Sequence, residues 1–342
     1  MKATTSLGIS LAAIVVCAGA CGGGSKKTDT APADPSATAP VQPEAPPQPK
    51  GSAMGVGADA VRARSSFALY PKSTRIVGGV SVAQLRASAA WPVLKTLVDQ
   101  RTTPEMKELR DVCKLDAVQV VDSIEVAMSL GAEQEIVLVV DGSFTRAGIG
   151  KCAPLFAKSR GHSLAVTDSG VVTSYSDATT TLWVGWPTEN RAVFGGDEHD
   201  EAWLADRLGG RNSVRENEAF MEVVGNVDTS ATAWFAIVDE NRSMQGLAGF
   251  LGGRAPTAAF LSIRMADALK AEVGFVFETE GDAKVARTGI ESMIDQVVND
   301  PMVGPLVSTA HVGVYGANAV VELELNQEQF EKLIQMVPML PF

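Results

Sequence analysis

The chain has 342 residues, 46% hydrophobic and 20% charged, which suits a folded globular core and excludes a wholly disordered, highly charged polymer. A formal net charge of −11 and a pI near 4.9 set the surface against polyanions, so nucleic acid and anionic headgroups are not expected partners. The length allows one large domain or two small ones once an N-terminal leader and linker are set aside.

Residues 1–20 read as a secretory leader. Lys2 supplies the basic start, residues 7–16 are apolar, and the small residues Ala18, Gly19 and Ala20 stand just before Cys21. The apolar stretch is shorter than the roughly 20 residues that span a bilayer, and no longer apolar run follows it. This segment resembles the lipobox signal of bacterial lipoproteins, usually Leu-Ala-Gly-Cys. It matches at both small positions and the cysteine, with Ala18 where that family has Leu. Cys17 is a poorer acceptor because the bulky Val16 precedes it. The resemblance implies a diacylglyceryl thioether on Cys21, an acylated amine and removal of residues 1–20. Gly22 rather than Asp follows, so it also implies an outer-membrane protein facing the periplasm, with the membrane a partner through its lipid anchor.

Residues 21–57 combine this cysteine with a stretch dominated by Gly, Ser, Ala and Pro that holds almost no large apolar residue. Such a composition cannot bury enough surface to offset the entropy of ordering and reads as an extended tether. The folded region then divides into two α+β halves, 58–212 and 213–342. In the first, a strand is expected over 75–82, helices over 83–99 and 104–112, and strands over 123–129 and 135–141. Ser143 is placed to cap a helix over 144–158. Strands over 163–167, 171–175, 181–186 and 191–194, separated by turn residues, form a meander before a short helix at 198–208.

After a turn-rich stretch the order restarts, with a strand at 232–238, a helix at 242–251 and strands at 258–264 and 271–278. A strongly amphipathic helix at 282–299, strands at 310–315 and 319–325, and a helix at 327–337 complete the chain. Each half runs strand, helix, strand, strand, helix, strands, helix, which points to an internal repeat. Paired strands without regular βαβ alternation predict an α+β fold, largely antiparallel sheets with helices on one face. Residues 69–94 resemble openings in uncharacterised bacterial envelope proteins, where a Leu-Pro leads into a strand and then Leu-Arg-x-Ser-x-x-Trp. Leu85, Arg86, Ser88 and Trp91 match, while Tyr70 interrupts the Leu-Pro. The resemblance implies repeated α+β envelope domains and no catalytic residues. Trp91 itself reads as a buried helix-packing anchor.

Cys113 and Cys152, the pair left once Cys17 departs and Cys21 takes lipid, are expected to form a disulfide in an oxidising compartment. With only three histidines, metal and triad chemistry have little to draw on. His199 lies in an acidic run that reads as a helix start, since neighbouring helical residues diverge too far to share one ion. His162 and His311 sit at expected strand starts without partners at diagnostic spacing. Asp141 and Asp239 each precede a helix and read as caps, and the glycines of 246–253 serve helix packing and a C-terminal cap rather than a dinucleotide. No catalytic, metal or cofactor residues are therefore assigned. The expected function is a lipid-anchored envelope protein that binds or scaffolds an unknown envelope partner. The alternatives are a carrier of an apolar ligand and a hydrolase with an unrecognised site.

Overall fold

The structure, a computed structural model, describes residues 54–130, 135–196, 199–239, 243–301 and 303–336. The expected leader, the expected lipidation site Cys21 and most of the expected tether lie outside the described residues. The protein is mixed α+β, and its strands form one continuous antiparallel sheet of 12 rather than several sheets. Strand order is β11-β12-β10-β9-β8-β1-β2-β3-β7-β6-β5-β4. At its centre, β1 (Thr74–Ser81) pairs with β8 (Ala233–Val238). From β1 the sheet continues through β2 (Val121–Ser129), β3 (Ile136–Gly142) and β7 (Arg191–Gly195) to β6 (Thr181–Thr188), β5 (Val172–Ser176) and β4 (Ala165–Asp168). From β8 it continues through β9 (Ala258–Met265), β10 (Leu269–Val276) and β12 (Asn318–Leu325) to β11 (His311–Tyr315).

Helices cover both faces of this sheet, which corrects the expectation of helices on one face. Adjacent residues of a strand point to opposite sides, so Val139 and Val140, Ala192 and Val193, or Ala319 and Val320 report which cluster lies on which face. Val77, Val139, Val193, Trp234 and Val320 share a core with Phe67 and Tyr70, with Leu204 of helix Glu201–Leu208 and with Phe220 and Met221 of helix Glu218–Val224. This is the closed face, and its core joins both halves of the chain. On the other face Val140 and Ala192 pack under helix Arg146–Ser159, and Ala319 packs under helix Glu280–Val297. Leu269 and Leu325 pack there with Ala90, Leu306 and helix Gln327–Met336. The unbroken sheet requires this double cover, because helices on one side alone would leave the other run of Val, Ile and Phe in water.

Several local expectations are also corrected. The helix over 83–99 is two helices, Val82–Ala87 and Trp91–Arg101. Ser88 is extended between them, and Pro92, which lacks an amide hydrogen, sits in the first turn of the second, where it is tolerated. Thr145, not Ser143, caps helix Arg146–Ser159, its hydroxyl accepting from the Gly148 amide at 3.0 Å. Helix Glu218–Val224, with Asn217 as its cap, arises in a stretch to which no element was assigned. The 242–251 helix is a short 3-10 turn, Ser243–Leu247, with Arg242 outside the described residues. Asp239 does serve it, accepting from the Met244 amide at 2.5 Å. Close packing at 246–253 is confined to Gly252, whose φ is +64° and whose backbone approaches Gly289 so tightly that a Cβ on Gly289 would lie 2.7 Å from the Gly252 nitrogen. Gly246 and Gly249 face open space.

Candidate functional site

The central strands invert the ordinary relation between polarity and burial. On β2 the buried positions are Glu125, Ala127 and Ser129, whereas the larger apolar side chains Ile124, Val126 and Met128 are only half-buried. Register carries the same face across the seam. Gly78 stands opposite Val126 on one side and Phe235 on the other, and Phe235 stands opposite Leu261. Phe235, Ile237, Leu261 and Ile263 are likewise half-buried, while Val80 is 37% exposed and Ile136 39%. The open face of β2, β1, β8 and β9 is thus apolar and incompletely covered. The sequence held the signal in the alternation VDSIEVAMS, but it pointed to the core for Ile, Val and Met and to solvent for Glu125.

Glu125 is buried because the closed face satisfies it. Its carboxylate accepts from the Tyr70 hydroxyl at 2.5 Å and from the Arg64 guanidinium at 2.6 Å. Arg64 also donates to the Thr229 carbonyl at 2.9 Å and lies 5.9 Å from the centre of the Trp234 ring. Burial, reinforced by the Glu125 charge, raises the Tyr70 hydroxyl well above the ordinary tyrosine range. Asp141, expected as a cap, instead pairs with Arg191 at 2.6 and 3.1 Å and accepts from Ser123, while Arg191 also donates to Ser65. These ion pairs hold residues preceding β1 against the sheet, a structural task.

Two helices lie in the connection between β1 and β2. Helix Trp91–Arg101 begins beside Ala90, Val93 and Leu94, which pack with Leu269, Leu325 and Phe330. Helix Pro104–Cys113, capped by Thr103, ends on helix Arg146–Ser159 through the Cys113–Cys152 disulfide, with an S–S distance of 1.98 Å. Glu108 adds a contact to Arg160 at 3.1 Å and accepts from the Ser159 hydroxyl at 2.6 Å. Glu105 is held below the ordinary carboxylate range, first by its own backbone amide and then by Thr103 and Arg160. No side chain of Pro104–Cys113 is buried, including Met106, Leu109 and Val112. Trp91, expected in the core, is half-buried in the first turn of its helix and joins none of the core clusters.

His199 lies elsewhere, in a cleft of about 310 Å3 lined by Thr179, Thr181, Trp183, Asp200 and Trp203. Its ring stacks flat on Trp203, centroids 3.8 Å apart. Asp200 caps the following helix by accepting from the Trp203 amide at 2.9 Å, which matches the helix-start expectation for this run, although Asp197 and Glu198 lie outside the described residues. Among the described residues, no hydrogen bond joins the His199 ring to Asp200 or to a threonine hydroxyl, and no group of three His, Cys, Asp or Glu side chains is placed to hold a metal. His162 is exposed in the turn after helix Arg146–Ser159, ahead of β4, and His311 is exposed at the start of edge strand β11. The three imidazoles are not brought together. Among the described residues no helix is long and apolar enough to cross a membrane. No protein-family model matches the chain, and comparison with curated proteins and with solved structures finds no match either.

Proposed function

We propose that the chain is a lipid-anchored envelope protein that binds an apolar partner through the open face of its central strands and does not catalyse a reaction. The observation that carries this reading is the inversion on β2, where Ile124, Val126 and Met128 stay half-exposed while Glu125 is buried. A protein with no use for that face would gain by burying it, since each fully buried aliphatic side chain contributes about 1.5–3 kcal/mol. The leader and lipobox support attachment through Cys21 at the outer membrane, with the tether holding the domain in the periplasm.

An internal repeat supports how the face is built. Outward from the β1–β8 pair, each side places its first, second and third strands, then its last, then its next to last. In each half a long helix, Arg146–Ser159 or Glu280–Val297, follows the third strand. Two similar halves, 58–212 and 213–342, joined first strand to first strand would leave a shared central surface between their helices.

Radiolabelled palmitate entering the wild type but not Cys21→Ala tests the anchor. For the binding face, the Cys21→Ala chain should enhance the fluorescence of 1-N-phenylnaphthylamine, and adding Val126→Lys should abolish that signal while the melting temperature stays close to the parent's. Failure of the parent to bind the dye removes the reading.

A further inference from the structure

We propose that the cleft beside His199 binds one neutral pyranose unit of a sugar. This site is separate from the open face and does not rest on it. The cleft, of about 310 Å3, lies near the lower end of the range for small-molecule sites, about 300–1,000 Å3. Its lining comes from the turn before β6, the start of β6, the end of β7 and helix Glu201–Leu208 with the residues that lead into it. These walls are fixed. The Trp203 indole N–H donates to Glu135 at 3.1 Å, and Glu135 in turn accepts from the Ser73 hydroxyl at 2.5 Å. Arg207 lies 5.8 Å from the centre of the Trp203 ring. Gly195 lets His199 and Trp203 approach β7, since a Cβ there would stand 2.7 Å from the Trp203 ring and 3.1 Å from Cβ of His199. The turn is set by Asp177, which accepts from the amides of Thr179 and Thr180 at 2.7 and 2.8 Å. Rings and turn so constrained lose little freedom when a ligand arrives.

The lining selects the ligand. Trp183, His199 and Trp203 are half-buried, so aromatic surface borders solvent at the cleft. Among the described residues the Trp183 indole N–H has no acceptor, and the His199 ring nitrogens have no partner. The Thr179 and Thr180 hydroxyls donate to Asp177 at 2.8 and 3.2 Å, so each offers a ligand only lone pairs. Asp200 gives one carboxylate oxygen to the Trp203 amide and keeps the other. A matching ligand accepts a hydrogen bond from Trp183, donates several, and presents an apolar surface to the rings. A pyranose does all three, because its hydroxyls both donate and accept and its C–H faces pack on aromatic rings. A purely apolar ligand would strip water from Trp183 and Asp200 and return no hydrogen bond. A quaternary ammonium ion has no acceptor for Trp183, and the Trp203 ring it would seek is already engaged by His199 and Arg207. An anionic sugar would meet the Asp200 carboxylate on a chain of net charge −11.

The test uses the full chain carrying Cys21→Ala and saturation-transfer NMR with the methyl glycosides of glucose, galactose, mannose and N-acetylglucosamine. At least one should receive saturation, strongest at its ring C–H protons, while glucuronate and tetramethylammonium should not. For the glycoside that binds, His199→Ala should weaken affinity by about tenfold, the order of one stacked ring lost. Thr179→Arg, a change at an exposed position of the lining, should weaken it comparably. If His199→Ala lowers the melting temperature, Thr179→Arg alone decides. A disaccharide with the same sugar at its non-reducing end should bind at least as well if the source is a glycan, and more weakly if it is the free sugar. Absence of saturation in every neutral glycoside overturns the proposal, as does affinity unchanged in Thr179→Arg. Preference for glucuronate or tetramethylammonium overturns the neutral sugar. Loss of glycoside binding in Val126→Lys at an unchanged melting temperature would put the sugar on the open face and overturn the cleft. Failure of the dye to bind removes the open-face reading and leaves this site standing.

Discussion

Replacing both Cys113 and Cys152 with serine isolates what the single cross-link between described residues contributes. The two positions are 39 apart in sequence, and the loop they close contains β2 and β3, two strands of the central sheet. In the chain-entropy treatment a closed loop of that length restricts the unfolded ensemble by about 4 kcal/mol at 25 °C. Polar contacts that remain between helix Pro104–Cys113 and the end of helix Arg146–Ser159 are the Ser159–Glu108 hydrogen bond at 2.6 Å and the partly exposed Glu108–Arg160 and Glu105–Arg160 pairs, at 3.1 and 3.4 Å. Such pairs contribute about 0–1 kcal/mol each, so they cannot replace the covalent link. For a domain of this size each kcal/mol shifts the melting temperature by about 2–4 °C, giving an expected fall of about 8–16 °C. Scanning calorimetry of the double-serine variant and wild type, without reductant, measures it directly. A melting temperature within about 2 °C of wild type would refute the calculation and show that the unfolded chain does not feel the link. A separate low-temperature transition would instead show that helices Trp91–Arg101 and Pro104–Cys113 unfold on their own.

Gly274→Ala should be among the most damaging single changes, because a Cβ there would fall 1.9 Å from Cζ of the buried Phe260 ring. A loss of about 3 kcal/mol by urea titration is expected, partly restored by a second change, Phe260→Leu, that opens the space. Trp91→Ala should cost only about 1 kcal/mol, the typical effect of a half-buried site, and a loss near that of a core aromatic would contradict the packing described for it. Tyr70→Phe should cost about 1–3 kcal/mol at neutral pH by leaving Glu125 one hydrogen bond short. The raised Tyr70 value also sets an alkaline dependence. The folded protein holds that proton more tightly than the unfolded chain, so stability is full below about pH 10, the ordinary tyrosine value, and declines as pH rises toward the native one. Tyr175, pushed up to about 12 chiefly by burial, acts in the same direction. Denaturation curves between neutral and strongly alkaline pH should therefore fall less steeply for Tyr70→Phe than for wild type, and parallel curves would refute the assignment.

Strands were legible wherever β-branched residues run between turn residues, as in EIVLVVD of β3 and AVVELEL in β12, because extended pairing needs only those local preferences. Helix starts were less so. Thr145 and Ser143 are both plausible caps from sequence, and only the geometry of the β3–helix connection decides between them. The two-sided helix cover was not legible, because it depends on one unbroken sheet instead of two. Nor was the open face. An alternating strand states that two faces differ, and composition assigns the apolar one to the core. Here Tyr70 and Arg64, distant in sequence, converge on Glu125 and reverse that assignment. The Cys113–Cys152 pair was readable by counting, once the expected leader and lipidation set Cys17 and Cys21 aside.

The meeting of β1 and β8 has a kinetic side. β1 is synthesised long before β8, and Gly78 and Gly79 give it little side-chain information with which to choose a register. Register at the join depends on Trp234, whose indole occupies the space over Gly79 so closely that a Cβ there would lie 2.5 Å from the ring nitrogen. Until that tryptophan emerges, the nascent N-terminal half presents β1 as an unpaired, glycine-containing edge able to recruit any strand nearby. Another molecule's β8 is chemically identical to its own. Refolding at high concentration should therefore trap dimers that have exchanged halves across this join, each intact in its local packing and wrong only in whose chain completes it.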